Sequence, residues 1–204
     1  MFYDILDKKR RDIILLLKDF KRDFYLAGGT GLALQLGHRD SVDFDFFTPG
    51  DIDTAKLLVR LEGVFSGHKV LKVQEERNTL TVIVDEKIKI SFFTYKYRLL
   101  SELINEPYLR IASILDIACM KLGAIVSRAT SKDYIDLYFI FRQIPLQKIL
   151  GALSKKLPSL EGSLALKSLV YFQDIKKEPI RFRNGHNVDF SQVKKSLIRE
   201  VKSL

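Results

Sequence analysis

A single cysteine, Cys119, and no tryptophan occur among the 204 residues, and histidine is confined to His38, His68 and His186. One thiol excludes an internal disulfide and a cysteine zinc cluster, and its apolar, helix-forming neighbours read as core packing. Three scattered histidines give little support to a histidine metal site. No apolar run approaches the ~18–20 residues of a membrane span. The opening MFYDILDKKRRDII lacks the positive-then-apolar pattern of a secretory leader, so a cytoplasmic protein without membrane association is expected. Internal repeats and low-complexity linkers are missing too. What the chain has in excess is positive charge: 34 Lys and Arg against 25 Asp and Glu, a formal net charge of +9. That balance favours a polyanionic partner through counterion release. The hydrophobic share, 47%, is ordinary for a chain that buries a sizeable core.

The most informative stretch runs from Phe24 to Thr48, FYLAGGTGLALQLGHRDSVDFDFFT. Phe24 to Ala27 form a short apolar strand that ends at Gly28-Gly29, where the backbone needs angles other residues avoid. Thr30 is expected to cap a helix from Gly31 to Leu36, which Gly37 terminates. From Ser41 to Phe47 the pattern has period two, so Asp43 and Asp45 share one face of a strand and Val42, Phe44 and Phe46 the other. Two carboxylates about 6.5–7 Å apart on one face repel unless water or a cation lies between them. Mg²⁺ commonly takes one or two carboxylates plus substrate phosphates, and amides at a glycine-rich helix start cradle phosphate oxygens. Taken singly, a Gly-Gly turn is most often a turn, and spaced aspartates most often a solvated edge-strand face. Joined by one short helix they are far more specific.

GGT, a short helix and DFD resemble the signature of the nucleotidyltransferase fold of DNA polymerase β type. The longer string LAGGTGLALQLGHRDSVDFDFF, with KLGAIVSRATSKDYIDLYFI downstream, resembles the AbiEii/AbiGii toxin family of nucleotidyltransferases, to which the MenT enzymes are related. The resemblance implies an α+β fold, a nucleotidyltransferase-fold mixed β-sheet with flanking helices followed by a helical C-terminal region. The expected division is a core over 1–105 and a helical domain over 106–204 that completes the active-site cleft. It further implies Mg²⁺ (or Mn²⁺), an NTP as substrate, transfer of NMP to a hydroxyl on RNA such as a tRNA 3′ end, and an antitoxin protein as partner. Transfer to a protein or small molecule, and a degenerate member that binds without turnover, are the alternatives.

Site residues follow from the same blocks. Asp43 and Asp45 are expected to hold the metal and Gly28, Gly29 and Thr30 the phosphates, with Ser41 adding a contact and Arg39 bracing the turn or a phosphate. In the AbiEii-like enzymes a lysine and an acid of the downstream block join them, which points here to Lys121, Arg128 and Asp133, with Asp136 beside them. Lys121 would neutralise triphosphate charge, and Asp133 would orient that lysine or act as a base. The plain alternative is a capping aspartate paired with Lys121 or Arg128 across a turn. Enzymes of this fold usually carry a third carboxylate on a later strand, and the corresponding slot, Ile90-Ser91-Phe92, holds Ser91.

Elsewhere the periodicity predicts a helix over 3–21, one capped by Asp51 or Asp53 to about Phe65, and strands at 70–73, 79–84 and 88–93 with a turn at Asp85-Glu86-Lys87. Helices are expected at 111–127, from Lys132, and at 145–156, 161–174 and 189–203. The run Lys8 to Arg11 reads as a solvated face. Lys176, Lys177, Arg181, Arg183, Lys194 and Lys195 are candidates for an RNA-facing surface.

Overall fold

A computed structural model describes all 204 residues. The predicted helix over 3–21 is broken into a 3-10 turn at Tyr3–Ile5, helix α1 (Lys8–Leu16) and a second 3-10 turn at Leu17–Phe20. The break is made by Asp7, whose backbone is extended and whose side chain accepts the Arg10 amide, restarting the helix. There follow β1 (Tyr25–Leu26), α2 (Gly28–Leu36), β2 (Phe44–Thr48), α3 (Thr54–Val64), β3 (Val70–Glu76), β4 (Thr79–Val84) and β5 (Ile88–Thr94). The second half holds β6 (Ile104–Asn105), β7 (Arg110–Ile111), α4 (Ile114–Ser127), α5 (Ser131–Phe141), α6 (Leu146–Lys156), α7 (Gly162–Val170) and α8 (Phe190–Lys202).

The seven strands form one mixed sheet in the order β3-β4-β5-β2-β1-β7-β6. β2 pairs parallel with β5 and β1 parallel with β7, and the other neighbours are antiparallel. The expected α+β mixed sheet with flanking helices is therefore present. The expected division at 105/106 falls inside the β6–β7 hairpin, so residues on both sides of it complete one sheet.

Each face of the sheet carries its own core. On one, Phe44, Phe46, Leu80, Val82, Ile90 and Phe92 pack with α1 and α3, and the Phe46 and Phe92 rings stack at 5.3 Å. Burying each such side chain stabilises the fold by about 1.5–3 kcal/mol. The other face meets α4 to α8 across the second cluster. Helix α2 lies between them, with Ala33 and Leu34 in the first cluster and Leu32 and Leu36 in the second. Val42 does not join the aromatic face as its spacing predicts. The strand begins at Phe44, Val42 is 46% exposed, and its carbonyl accepts from Arg10 Nε at 2.7 Å.

In the C-terminal half, Ser113 caps α4 and Asp189 caps α8 in a capping box with Gln192. The helix expected over 161–174 ends at Val170, because Tyr171 turns extended and the Tyr134 hydroxyl donates to the Ser168 and Tyr171 carbonyls. Residues 171–189 then form a strap without regular structure. It bridges Thr130 at Lys176 and Arg39 at Phe182, crossing from the start of α5 to the segment between α2 and β2.

Candidate active site

Strand β1 delivers the chain to Gly28, whose φ of +62° is the left-handed region that glycine enters without steric cost. A Cβ here would stand 2.9 Å from Asp45 Oδ2, so the turn and the acid are in direct contact. The Ala27 amide donates to the Asp45 carbonyl at 3.1 Å and ties the two together. Helix α2 starts at Gly28, three residues earlier than predicted, and no side chain caps it. Thr30 is not the cap. Its hydroxyl donates to the Asp43 carbonyl and lies 2.8 Å from Ser41 Oγ, which locks the helix start to the acidic strand. The first amides of α2 lack intrahelical partners, and the dipole's positive end is there.

Across the turn, Asp43 precedes β2 and Asp45 lies within it, on the face opposite Phe44 and Phe46. Burial, and then the neighbouring Asp43 charge, push the Asp45 carboxyl above its ordinary value, against the opposing pull of Lys89, Lys121 and Arg128. Such a pair gains from a cation. Asp45 pairs in register with Ser91, so the third-carboxylate slot is occupied by a serine hydroxyl, 3.2 Å from that of Thr81. Asp85 and Glu86 supply no substitute, since they pair with His68 and Lys69 in the β4–β5 turn. Lys89, two residues before Ser91, points an exposed ammonium into the same cleft.

A buried charge cluster backs the site. Arg39 donates through Nε and Nη2 to both Asp136 oxygens at 2.7 and 2.8 Å, and Lys121 Nζ reaches Asp136 Oδ2 at 2.6 Å and Asp133 Oδ1 at 2.7 Å. His38, fully buried, completes Asp136 through Nε2 at 2.8 Å, while its Nδ1 has no partner. Burial alone would raise the Asp136 carboxyl, but Arg39 and Lys121 outweigh it and hold the group well below the usual carboxylate range. Burial dominates at His38 and lowers its pKa, keeping the ring neutral. Asp133 also accepts the Thr130 hydroxyl at 2.8 Å, so both its oxygens are engaged. Arg39 therefore packs beneath Gly29, where a Cβ would meet its Nη2 at 2.8 Å.

These elements surround a cleft of about 1170 Å³. Gly28, Gly29, Ser41, Asp43, Asp45 and Arg39 line it from the sheet side, and Lys121, Arg128 and Asp133 from the helical side. Thr30 and Asp136 of the sequence-derived set do not line it, being 1% and 0% exposed. Arg128 is the open cation of the helical wall: its side chain is 71% exposed and its Nε lies 3.8 Å from Asp133. The strap closes one side through Glu178 to Arg181, and Arg181 and Arg183 both pair with Asp40. Sequence reading missed Lys89, the central place of Asp136 and the part played by His38. Lys89 was legible from its period-two spacing to Ser91, whereas the partners of His38 and Asp136 are 98 residues apart.

The family described as nucleotidyl transferase AbiEii toxin, Type IV TA system, matches residues 14–203. This chain belongs to the AbiEii family. An uncharacterized protein from Aquifex aeolicus is 40% identical over 162 residues, 76% of this chain and 77% of that one. Among solved structures, JHP933 from Helicobacter pylori superposes with a TM-score of 0.62 at 19% identity, over 97% of this chain and 92% of its own. MenT4, a nucleotidyltransferase toxin from Mycobacterium tuberculosis, gives 0.57 at 17% identity over 96% and 82%. The Megavirus polyadenylate synthase gives 0.52 at 15% over 68% of this chain and 32% of its own. At these identities the structural likeness is one of fold, and membership of the AbiEii family makes the chain a nucleotidyltransferase of a toxin family. No helix is long and apolar enough to cross a membrane.

Proposed function

We propose that the chain transfers a nucleoside monophosphate from a Mg-bound NTP to a hydroxyl of an RNA acceptor, such as a tRNA 3′ end, with pyrophosphate as the leaving group, as the toxin of a system with a cognate antitoxin. The observation that carries the reading is the contact of the Gly28 turn with Asp45, which puts phosphate-binding amides against a carboxylate pair. The donor set suits a hard divalent ion, being carboxylate oxygens with no thiolate or imidazole beside them. Asp43 and Asp45 would hold it. When bound, Mg²⁺ or Mn²⁺ supplies charge neutralisation and polarisation of the α-phosphoryl group.

The remaining work falls to the chain's own groups. Amides of Gly28, Gly29 and Thr30 orient the terminal phosphates, and the Thr30–Ser41 contact holds those amides in place against Asp43. Lys121 is already balanced by Asp133 and Asp136, so its role is to direct its remaining N–H bond into the cleft from a fixed position. Asp133 orients it. Arg128 and Lys89 stand on opposite walls and add positive charge where phosphate charge builds up. Ser91 cannot take a proton as a carboxylate would, so the acceptor proton leaves to solvent or to a phosphate oxygen.

The test is incubation of each labelled NTP with total RNA, protein and metabolite fractions in Mg²⁺ or Mn²⁺. Label is expected in RNA with the wild type and in no fraction with Asp43→Ala or Asp45→Ala. Label confined to protein or metabolites would replace the acceptor, and activity in either variant would overturn the mechanism.

A further inference from the structure

The sheet face that carries the acids changes character along its length. In parallel register, Asp45 stands beside Ser91 and the next same-face pair is Phe47 beside Phe93, about 7 Å further on. Their rings stack at 5.4 Å, with planes 30° apart. Tyr95 meets Phe47 edge-on at 5.7 Å, and Tyr97 meets Tyr95 at 4.8 Å. All four rings line the cleft, and the last, Tyr97, is 39% exposed at its mouth. A continuous series of rings thus leads from the carboxylates to the surface.

The series is braced from behind. The Lys156 ammonium lies 5.4 Å from the Tyr95 ring centroid and is itself fixed by Asp116 at 2.7 Å and by the Arg98 carbonyl at 3.0 Å. Asp116 also accepts the Leu100 and Ser101 amides, so the segment after Tyr97 is pinned to α4. This wholly buried ion pair lies outside the catalytic cluster, and holding the aromatic wall is the use its contacts define. Beyond Tyr97, the exposed Arg98 makes no ion pair.

We infer that the Phe47–Phe93–Tyr95–Tyr97 series is a stacking track for the unpaired terminal bases of a single-stranded polynucleotide acceptor, bringing its end to the carboxylates. This inference rests on the nucleotide-transfer reading above and names how its acceptor is held. Aromatic rings interleaved with positive charge bind single strands with little base preference, since every base has a face to stack. One base of an incoming nucleotide would occupy a single ring, whereas the track runs from the reaction centre to the protein surface.

The experiment uses a single-stranded oligoribonucleotide with 2-aminopurine at its 3′-terminal position and the full chain, in EDTA and without NTP, so that binding is read apart from transfer. Quenching of the probe is expected with the wild type. Tyr97→Ala should weaken the affinity about fivefold or more, Tyr97→Phe should retain it, and pairing the 3′ end into a duplex should weaken it. Equal unfolding temperatures for the variants would exclude a folding defect. In the transfer assay, Tyr97→Ala should raise the acceptor KM and leave the NTP KM as it is. An affinity indifferent to Tyr97→Ala, or a rise in the NTP KM alone, would overturn the track. Tyr97-dependent quenching with no transfer under any condition would instead remove the transfer reading and leave the track standing.

Discussion

Asp136 and Asp45 are both buried acids, and their surroundings drive them in opposite directions. Asp136 accepts from His38, Arg39 and Lys121, and its folded pKa is lowered, so its contribution to stability is present at neutral pH and disappears as pH falls through the folded value. Acid unfolding of the wild type is therefore expected to steepen below about pH 4. Asp136→Asn should lose that slope and cost about 3–5 kcal/mol at pH 7 by leaving two cations poorly compensated, an unfolding temperature lower by roughly 10 °C. An unaltered acid slope in the variant would assign the effect to other carboxylates. Asp45 has a raised pKa, so its ionised form costs stability above the folded value, and the cost is relieved as pH falls through it. Asp45→Asn should accordingly be inactive yet as stable as the wild type or slightly more so at pH 7 without divalent ions. Added Mg²⁺ should raise the wild-type unfolding temperature and leave that of the variant unchanged, which differential scanning would record.

The elements most fully written in the sequence were those set by local signals. Strand β4 came out at its predicted bounds and α3 with its Asp53 cap, because alternation and capping are local signals. The register that faces Asp45 with Ser91 matches the slot that the resemblance to the nucleotidyltransferase fold implied. The failures are those of longer range. Helix α2 begins at Gly28 because the Asp43 carbonyl captures the Thr30 hydroxyl, and the strap over 171–189 is extended because Tyr134, 37 residues from Tyr171, draws its carbonyl away from a helix. Gly28→Ala tests the turn as a unit. The left-handed backbone would cost about 1–2 kcal/mol, and the new Cβ would displace Asp45 Oδ2 from 2.9 Å. Incorporation is expected to fall more than tenfold, out of proportion to a drop of a few degrees in unfolding temperature. Gly50→Ala, whose Cβ would meet nothing nearer than Thr48 Oγ1 at 3.8 Å, should change neither.

At the scale of the molecule the net charge of +9 acts through space rather than through any one contact. Affinity for a single-stranded oligonucleotide is expected to fall linearly with salt on logarithmic axes, with a slope near −0.7 for each phosphate neutralised. A slope near zero, measured by titration at several salt concentrations, would show that the surplus charge takes no part. Because α2 is wedged between the two apolar clusters, neither half can loosen without releasing the glycine corner that α2 begins. No half-melted intermediate can therefore keep a working catalyst. Heating should extinguish turnover and ellipticity along one common sigmoid, and damage to the remote α8 end should silence the enzyme as surely as damage beside the acids.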